Sequence, residues 1–474
     1  MIVGSVRAAR GRVVGIFISI CGLGAVVGLS QAADLADLYA LARENDPTFQ
    51  SARYALEAAK QKRPEAFSAL LPSLVANGST DRTLGRTRYT GTPEISRGFN
   101  ADQWALQLTQ PLFRVQSLLV YDEARASVEQ ALAQFVAAEQ DLILRLSRAY
   151  FDAIVAERHV VAARSQVAAL EEQLNAARRS FQAGVASISD VDDTQSRGAL
   201  AQAQLVAAMN DLEGSSASLE AILGVPPPRL NALKAEANLP RPTPTDAATW
   251  VQRAVEDDPS VKAAQAAVKA ADYELDRSRS QRLPSVDLVA TYGGNYSAGN
   301  ITEPTDFGTN VRDKQVSVQF SMPLFSGGGI QAQVAESRAK RAKAQADLTA
   351  AQRQAALDAR QAYSGVLSGV SQVQALETAV AAGQSAVKGN RIGYGLGIRI
   401  NSDVLNAEQQ LYSTMQDLEK ARYDTLFQGL KLKAATGELS DQDLQAVNGL
   451  LAPVAPSAGD RDAGSTESGK SARE

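Results

Sequence analysis

The sequence of 474 residues contains one cysteine, Cys21, and one histidine, His159. This scarcity excludes zinc sites, cysteine nucleophiles and disulfide frameworks, and a Ser-His-Asp triad would have to use His159. No residue at motif spacing accompanies that histidine. We therefore expect no catalytic residues, no metal site and no cofactor, and we do not expect an enzyme.

Long apolar runs and an excess of positive charge are also missing. Beyond residue 40 no uncharged apolar run reaches the length of roughly 18 residues that a membrane-spanning helix needs, which excludes a polytopic helical protein. The formal net charge of −4 gives no reason to expect a nucleic-acid partner.

Residues 1–32 have the pattern of a secretory signal peptide. Arg7, Arg10 and Arg12 precede an apolar core, and Ser30-Gln31-Ala32 supplies small residues for cleavage. A retained membrane anchor is the alternative, but the acidic residues that follow favour removal. Cleavage would leave a more acidic chain without cysteine, which is typical of the bacterial envelope rather than of a disulfide-stapled secreted domain.

The rest of the chain indicates a duplication. Short motifs recur in the same order, the first three pairs at one spacing and the last four at a spacing longer by one residue. The pairs are Asp46-Pro47 and Asp258-Pro259, Leu71-Pro72-Ser73 and Leu283-Pro284-Ser285, Pro111-Leu112-Phe113 and Pro323-Leu324-Phe325, Ala149-Tyr150 and Ala362-Tyr363, Gly184 and Gly397, Asp190-Val191 and Asp403-Val404, and Gly224 and Gly437. We predict a first repeat at 33–224, a proline-rich linker at 225–245, a second repeat at 246–452 and a disordered tail at 453–474.

Each repeat predicts the same order of elements. A helix comes first, followed by two strands that enclose a loop, at 85–100 in one copy and 298–313 in the other, and proline ends the second strand. A helix without proline follows at 114–181 or 330–392, and in the first of these apolar or small residues recur at the alternating steps of three and four that coiled coils use. After a turn, a second helix returns. Asp190 and Asp403 stand where its N-cap is expected.

The predicted strands have one apolar face. In the first copy Trp104, Leu106 and Leu108 alternate with polar residues. A soluble α+β domain with a half-exposed sheet is one interpretation, and a sheet covered by lipid is the other. Four strands are too few to close a barrel, so in lipid several chains would have to contribute. Trp104, Phe113 and Phe325 are then candidates for a membrane girdle.

The order and spacing of these motifs resemble the TolC family of outer-membrane channel-tunnels. The resemblance covers nearly the whole chain after residue 32, and it includes the Leu-Pro-Ser and Pro-Leu-Phe motifs and the turns at 181–191 and 393–405. It implies a mixed fold: a homotrimer with a twelve-stranded transmembrane β-barrel, four strands per chain, continued by a long periplasmic α-helical barrel. It also implies contact with outer-membrane lipid, a periplasmic adaptor and an inner-membrane transporter, either ABC-type or proton-driven.

The same resemblance implies a gate at the periplasmic end of the helices. Carried over by position, the gate residues are Gln173, Ser189, Asp190, Tyr394, Arg399, Asp403 and Asn406. Asp190 would pair with Tyr394, and Asp403 would face the pore. Asn406 and Arg391 stand where the family often has acids, so the gate network is expected to be wired differently. A simpler interpretation is that Asp190 and Asp403 are only helix caps.

The sequence therefore favours a passive exit duct for type I protein secretion. Multidrug efflux through the same kind of duct is the alternative within the family. A soluble periplasmic helical-hairpin adaptor and a non-conducting structural tether are alternatives of other classes.

Overall fold

The structure is a computed structural model that describes residues 34–234, 236–301 and 307–452. The predicted signal peptide at 1–32 and the predicted tail at 453–474 lie outside the described residues. The helices are α1 (Leu35–Asn45), α2 (Pro47–Ser68), α3 (Val115–Gln182), α4 (Ile188–Leu223), α5 (Ala247–Asp257), α6 (Pro259–Ser280), α7 (Gly329–Gly395), α8 (Asn401–Ala435) and α9 (Asp441–Leu450). The strands are β1 (Ser73–Thr87), β2 (Ile95–Phe113), β3 (Ala232–Leu233), β4 (Ser285–Ser297), β5 (Thr309–Ser321) and β6 (Leu451–Ala452).

The duplication predicted from the sequence is confirmed by the order of the elements. Two short helices, two strands and a long helical hairpin occur twice, as α1–α2–β1–β2–α3–α4 and as α5–α6–β4–β5–α7–α8. At each Asp-Pro motif one helix ends and the next begins. The carboxylates of Asp46 and Asp258 accept the backbone N–H of Phe49 at 2.8 Å and of Ser260 at 2.7 Å, and the proline occupies the first helical position.

The four long strands form one antiparallel sheet in the order β1-β2-β4-β5. The register places even-numbered residues of all four strands on the same face. Across one row of this face lie Leu74, Leu108, Ala290 and Val316. Val316 is 73% exposed in the single chain. The predicted apolar face is therefore present as a continuous surface, and nothing within the described residues covers its β5 side.

The strands are longer, and the loops shorter, than the sequence predicted. Pairing continues through Thr87 and resumes at Ile95, so the first loop spans only 88–94, and the second spans 298–308. Polar and glycine residues in these stretches suggested loop, but backbone pairing does not depend on their side chains. Pro111 was expected to end its strand and instead lies within β2. The register shifts between Pro111 and Phe113, and such an irregularity accommodates a residue that has no N–H to donate.

The two long helices reach far from the sheet. α3 has 68 residues and α7 has 67, which at ~1.5 Å per residue is about 100 Å each. They pair with α4 and α8, respectively. Buried residues along α7 such as Ala355, Ala359, Ala362 and Val366 are small or β-branched and recur every three or four positions. Such spacing lets neighbouring helices pack closely. Because α4 and α8 have only 36 and 35 residues, α3 and α7 extend beyond them and also pack against α6. None of the described helices is both long and apolar enough to cross a membrane.

The largest hydrophobic core lies around the middle of α3 and the C-terminal parts of α4 and α8, and it includes residues of α1, α9, β3 and β6. Tyr150 is fully buried and is hydrogen-bonded to the backbone of Asn231, donating to its carbonyl at 2.8 Å and accepting its N–H at 3.0 Å. Burial raises the pKa of Tyr150. The equivalent residue of the second copy, Tyr363, donates to the carbonyl of Thr245. Both tyrosines thus attach the proline-rich linker to the helices.

Candidate gate at the hairpin turns

The two helical hairpins turn in the same way at their far ends. Residues 183–187 connect α3 to α4, and residues 396–400 connect α7 to α8. Gly184 and Gly397 have φ values of 75° and 73°, a left-handed conformation that favours glycine at a helix C-terminus. The next N–H in each turn donates back to the helix, from Val185 to Ser180 and from Ile398 to Gly393. The repeated backbone geometry places the predicted gate residues of both hairpins at the same end of the molecule.

The predicted N-cap positions of Asp190 and Asp403 are wrong by a few residues. Helix α4 begins at Ile188 with Ser187 as its N-cap, and Asp190 accepts the Ser187 N–H at 3.1 Å as the third helical residue of a capping box. The Ser189 N–H donates to the Ser187 hydroxyl at 3.2 Å. Helix α8 begins at Asn401, so Asp403 is also a third helical residue. The helix dipole stabilises a negative charge at both positions. For this reason an acid in the first turn is easily mistaken for the N-cap when only the sequence is considered.

Four of the predicted gate residues, Gln173, Asn406, Arg399 and Asp403, form contacts through their side chains. Gln173 on α3 donates to the Glu408 carboxylate on α8 at 2.7 Å. Asn406 on α8 accepts a hydrogen bond from Arg197 on α4 at 2.9 Å. Arg399, in the second turn, lies 3.6 Å from the Asp403 carboxylate.

The Asp190–Tyr394 pair is not formed within the single chain. The carboxylate of Asp190 accepts from the Ser187 backbone, and the side chain of Tyr394 is partly exposed. Among the described residues, the Tyr394 hydroxyl makes no hydrogen bond. The latch between Asp190 and Tyr394 stays a prediction about the assembled channel.

Glu408 is the centre of the polar contacts near the turns, and the sequence interpretation missed it. The residue is only 6% exposed, and its second carboxylate oxygen accepts from Arg391 of α7 at 2.8 Å. Together with Gln173, Glu408 connects three helices, α3, α7 and α8. Two signals in the sequence point to it. Arg391 occupies a position where the family often has an acid, and Glu408 follows Val404 by four residues on the buried stripe of α8.

A second set of contacts joins α4 to α8. The Asn401 amide donates to the Thr194 hydroxyl at 3.0 Å in a buried position, and Thr194 donates to the carbonyl of Asp190 at 2.7 Å. One turn further along α4, Arg197 reaches both Asn406 and Gln409. The two hairpins of one chain are therefore connected by directional polar contacts, which lie beside a small apolar cluster of Leu170, Ala201 and Leu405.

Electrostatics around Glu408 also affect Tyr412, one turn later on α8. Burial, and secondarily the negative charge of Glu408, raise the pKa of Tyr412. Among the described residues, no group of three or more histidine, cysteine, aspartate or glutamate side chains is placed to hold a metal ion.

The predicted girdle residues lie at different levels of the sheet. Trp104 on β2 packs edge-on against Tyr292 on β4, with ring centroids 5.2 Å apart, on the apolar face. Phe113 is the last residue of β2, at the end of the sheet next to the helices. Phe325 follows β5 at that same end and is 88% exposed in the single chain. Two aromatic levels, separated along the strands, are typical of a sheet that crosses a membrane.

Comparisons with known proteins agree with this architecture. The family described as outer membrane efflux protein matches residues 38–225 and 250–438, one match in each copy. The chain is similar to the alkaline protease secretion protein AprF of Pseudomonas aeruginosa, with 32% identity over 88% of this chain and 87% of that protein. It is similar to the outer membrane protein TolC of Vibrio cholerae, with 30% identity over 91% and 97% of the two chains. The crystal structure of the outer membrane protein VceC of Vibrio cholerae has the same fold, with a TM-score of 0.71, 17% identity, and coverage of 85% of this chain and 96% of that chain.

Proposed function

The chain belongs to the outer membrane efflux protein family and is a TolC-type channel of the outer membrane, and from this premise we propose that it is the exit duct of a type I protein secretion system. The observation that carries this assignment is the similarity to AprF, a protein named for protease secretion, over most of both chains. A passive duct is consistent with the contacts at the hairpin turns, which can open or close a path but offer no reactive geometry.

Multidrug efflux is the second candidate, because the matching family is described by efflux. The adaptor hypothesis has no support from the family or from the four-stranded sheet. A closed structural tether is distinguished by conductance, since a duct should carry ions across a planar bilayer once its gate opens and a tether should not.

The proposed channel is a homotrimer. Strands β1 and β5 are the two edges of the sheet, and each leaves one side of its backbone unpaired within the described residues. Hydrocarbon does not tolerate unpaired backbone groups, and four strands do not close on themselves. Pairing β5 of one copy with β1 of the next in a ring of three gives twelve alternating antiparallel strands. Chemical crosslinking and mass measurement of the detergent-extracted membrane fraction should give a species of three chains.

The proposed gate is the set of polar contacts at the hairpin turns. Asp403 and Asn406 would line the constriction, and Asp190 and Tyr394 would form a latch in the assembled channel. Glu408, with Gln173 and Arg391, would hold the two hairpins of each chain in register. The periplasmic adaptor and the inner-membrane transporter would open the gate by binding near these turns.

Deletion of the gene in the parent bacterium tests the choice between secretion and efflux. If the channel serves type I secretion, the culture medium should lose one or a few proteins, and a plasmid-borne copy should restore them. Susceptibility to dyes and antibiotics should change little. If the deletion strain instead keeps its set of secreted proteins and becomes markedly more susceptible to drugs, the channel serves efflux rather than secretion.

A further inference from the structure

Four basic residues lie on the apolar face of the sheet, each in the half of its edge strand that is farther from the helices. Arg82 and Arg86 belong to β1, and Arg312 and Lys314 belong to β5. All four have even numbers and therefore share the face that carries Leu74, and all four side chains are exposed.

Within the described residues, none of these four cations forms an ion pair with an acid. The Nζ of Lys314 lies 5.3 Å from the centroid of the Tyr292 ring. In the four described strands, Asp102 is the one acid on this face, and it accepts a hydrogen bond from the Thr80 hydroxyl at 2.6 Å. The surface thus has a local excess of positive charge in a chain whose net charge is −4.

Assembly would concentrate this charge. If β5 of one copy pairs with β1 of the next, the strand that carries Arg312 and Lys314 neighbours the strand that carries Arg82 and Arg86, and the two strands are about 4.8 Å apart. Like charges on neighbouring strands repel one another. Each of the three seams of the trimer would therefore contain four cations that an anion would stabilise. This step depends on the trimer proposed above.

The depth of these residues fits a lipid headgroup. Arg82 and Arg312 lie equally far along their strands from the helix-side ends at Ser73 and Ser321. That distance is about 30 Å along the strand, or roughly 20–25 Å of height after the usual tilt, which is close to the height of the apolar band of a membrane barrel. On β5, the residues closer to the helices on this face are Val316, Val318 and Phe320. On β5 the two cations therefore follow directly after the apolar residues, and on β1 Arg82 and Arg86 lie on either side of Leu84.

We propose that these seam cations bind the phosphate groups of a phosphorylated lipid in the outer leaflet of the outer membrane. The guanidinium groups of the arginines suit the geometry of phosphate oxygens, and the adjacent apolar rows would receive the acyl chains. Tyr292 positions Lys314 through the contact with its ring. The lipid would neutralise the seam and would bridge two neighbouring subunits.

Native mass spectrometry of the full-length mature channel in detergent tests this proposal. The probes are diphosphorylated lipid A and the same lipid with its phosphates removed. The test variant combines Arg82→Gln, Arg86→Gln, Arg312→Gln and Lys314→Gln. The control variant combines Arg53→Gln, Lys62→Gln, Arg338→Gln and Lys388→Gln, exposed residues of the helical region that also form no ion pair within the described part of the chain.

The wild-type and control proteins should bind the diphosphorylated lipid about tenfold or more tightly than the test variant, and the dephosphorylated lipid should bind all three weakly. Equal binding by the test variant and the control, or equal binding of the two lipids to the wild type, would overturn the proposal. If the test variant does not assemble, a salt titration of the wild type decides: binding that is insensitive to salt overturns the proposal, and binding that weakens with salt supports it. The mass of the lipid-free complex reports separately on the trimer.

Discussion

The Arg391 guanidinium of α7 lies 2.8 Å from the carboxylate of Glu408 on α8, and Glu408 is nearly inaccessible to solvent. The other carboxylate oxygen accepts from Gln173 of α3. The basic residue at position 391 thus has an acidic partner on the adjacent helix of its own hairpin. The charges of this polar link lie within one chain.

Glu408→Gln should make the channel open more readily. The substitution removes the negative charge that Arg391 contacts. Because Arg391 is more than half exposed, we expect the closed state to lose about 1–2 kcal/mol of stabilisation. This corresponds to a shift of roughly tenfold in the ratio of closed to open channels. Single-channel recording in planar bilayers measures it. Glu377→Gln, which removes an exposed partner of Arg422, is the matched control and should leave the conductance unchanged.

The combined substitution Asp190→Ala and Tyr394→Phe should also raise the single-channel conductance. The two residues do not bond to each other within one chain, so their effect depends on contacts made in the assembled channel. Asp190→Ala alone removes part of a capping box and costs about 1 kcal/mol of helix stability, so thermal stability must be measured alongside conductance. Unchanged conductance in the double variant would refute the latch.

Asp403→Asn should reduce the preference of the closed channel for cations. In a trimer, three Asp403 carboxylates would surround one opening, each partly compensated by Arg399 at 3.6 Å. Asn406→Asp should act in the opposite direction by adding a second ring of charge. Reversal potentials under a salt gradient measure both changes. Asp276→Asn, on the exposed surface of α6, is the control. An equal shift of the reversal potential in that variant would contradict the placement of Asp403 in the pore.

A disulfide across the two hairpins should hold the channel closed. The Asn401 amide and the Thr194 hydroxyl are 3.0 Å apart, and the one natural cysteine, Cys21, lies within the predicted signal peptide. The double variant Thr194→Cys with Asn401→Cys should lose export under oxidising conditions and regain it with a reductant. Each single variant is a control. Full export by the oxidised, crosslinked double variant would show that the hairpins need not separate.

Stability at low pH should depend on Asp46, which is 2% exposed and forms an ion pair with Arg145 at 2.9 Å. Burial acts to raise the pKa of Asp46, but hydrogen bonds from Arg145 and from the Phe49 backbone outweigh it and lower the pKa below 3.8. Because the folded-state pKa is lowered, the stabilisation is complete above pH 3.8 and is lost as the pH falls through the folded-state value.

Asp46→Asn should therefore lower the free energy of unfolding by about 1–3 kcal/mol at neutral pH. The difference from the wild type should shrink below pH 3.8. Thermal unfolding of the detergent-solubilised channel across this pH range measures both effects. Asp276→Asn, an exposed carboxylate with a local partner, is the control. A difference that stays constant down to pH 2 would contradict the assignment of the stabilisation to the ionised carboxylate.

The sequence predicted the parts of the fold that depend on local periodicity. The alternation around Trp104 and the long proline-free stretch after Arg114 correspond to β2 and α3. The boundaries were less accurate because they depend on backbone pairing. Thr87 and Ile95 are paired although their neighbours suggested loop, and Pro111 remains within its strand.

The two hairpin turns were predictable from the sequence, but the contacts between the hairpins were not. Gly184 and Gly397 predict the two turns, and they occur at equivalent positions because the chain is duplicated. The link through Glu408 joins residues from three helices that are distant in sequence, and no local pattern specifies which partner a buried acid will find. At position 391 the resemblance to the TolC family indicated only that the gate network would be wired differently.

The open sides of β1 and β5 have a consequence for how the channel is made. A lone subunit that entered the membrane would expose two rows of amide groups to acyl chains, at a cost of several kcal/mol for each group. We therefore expect no stable one-subunit intermediate within the bilayer. Insertion and association should occur as a single event during biogenesis, at a rate that depends steeply on the concentration of newly exported chains.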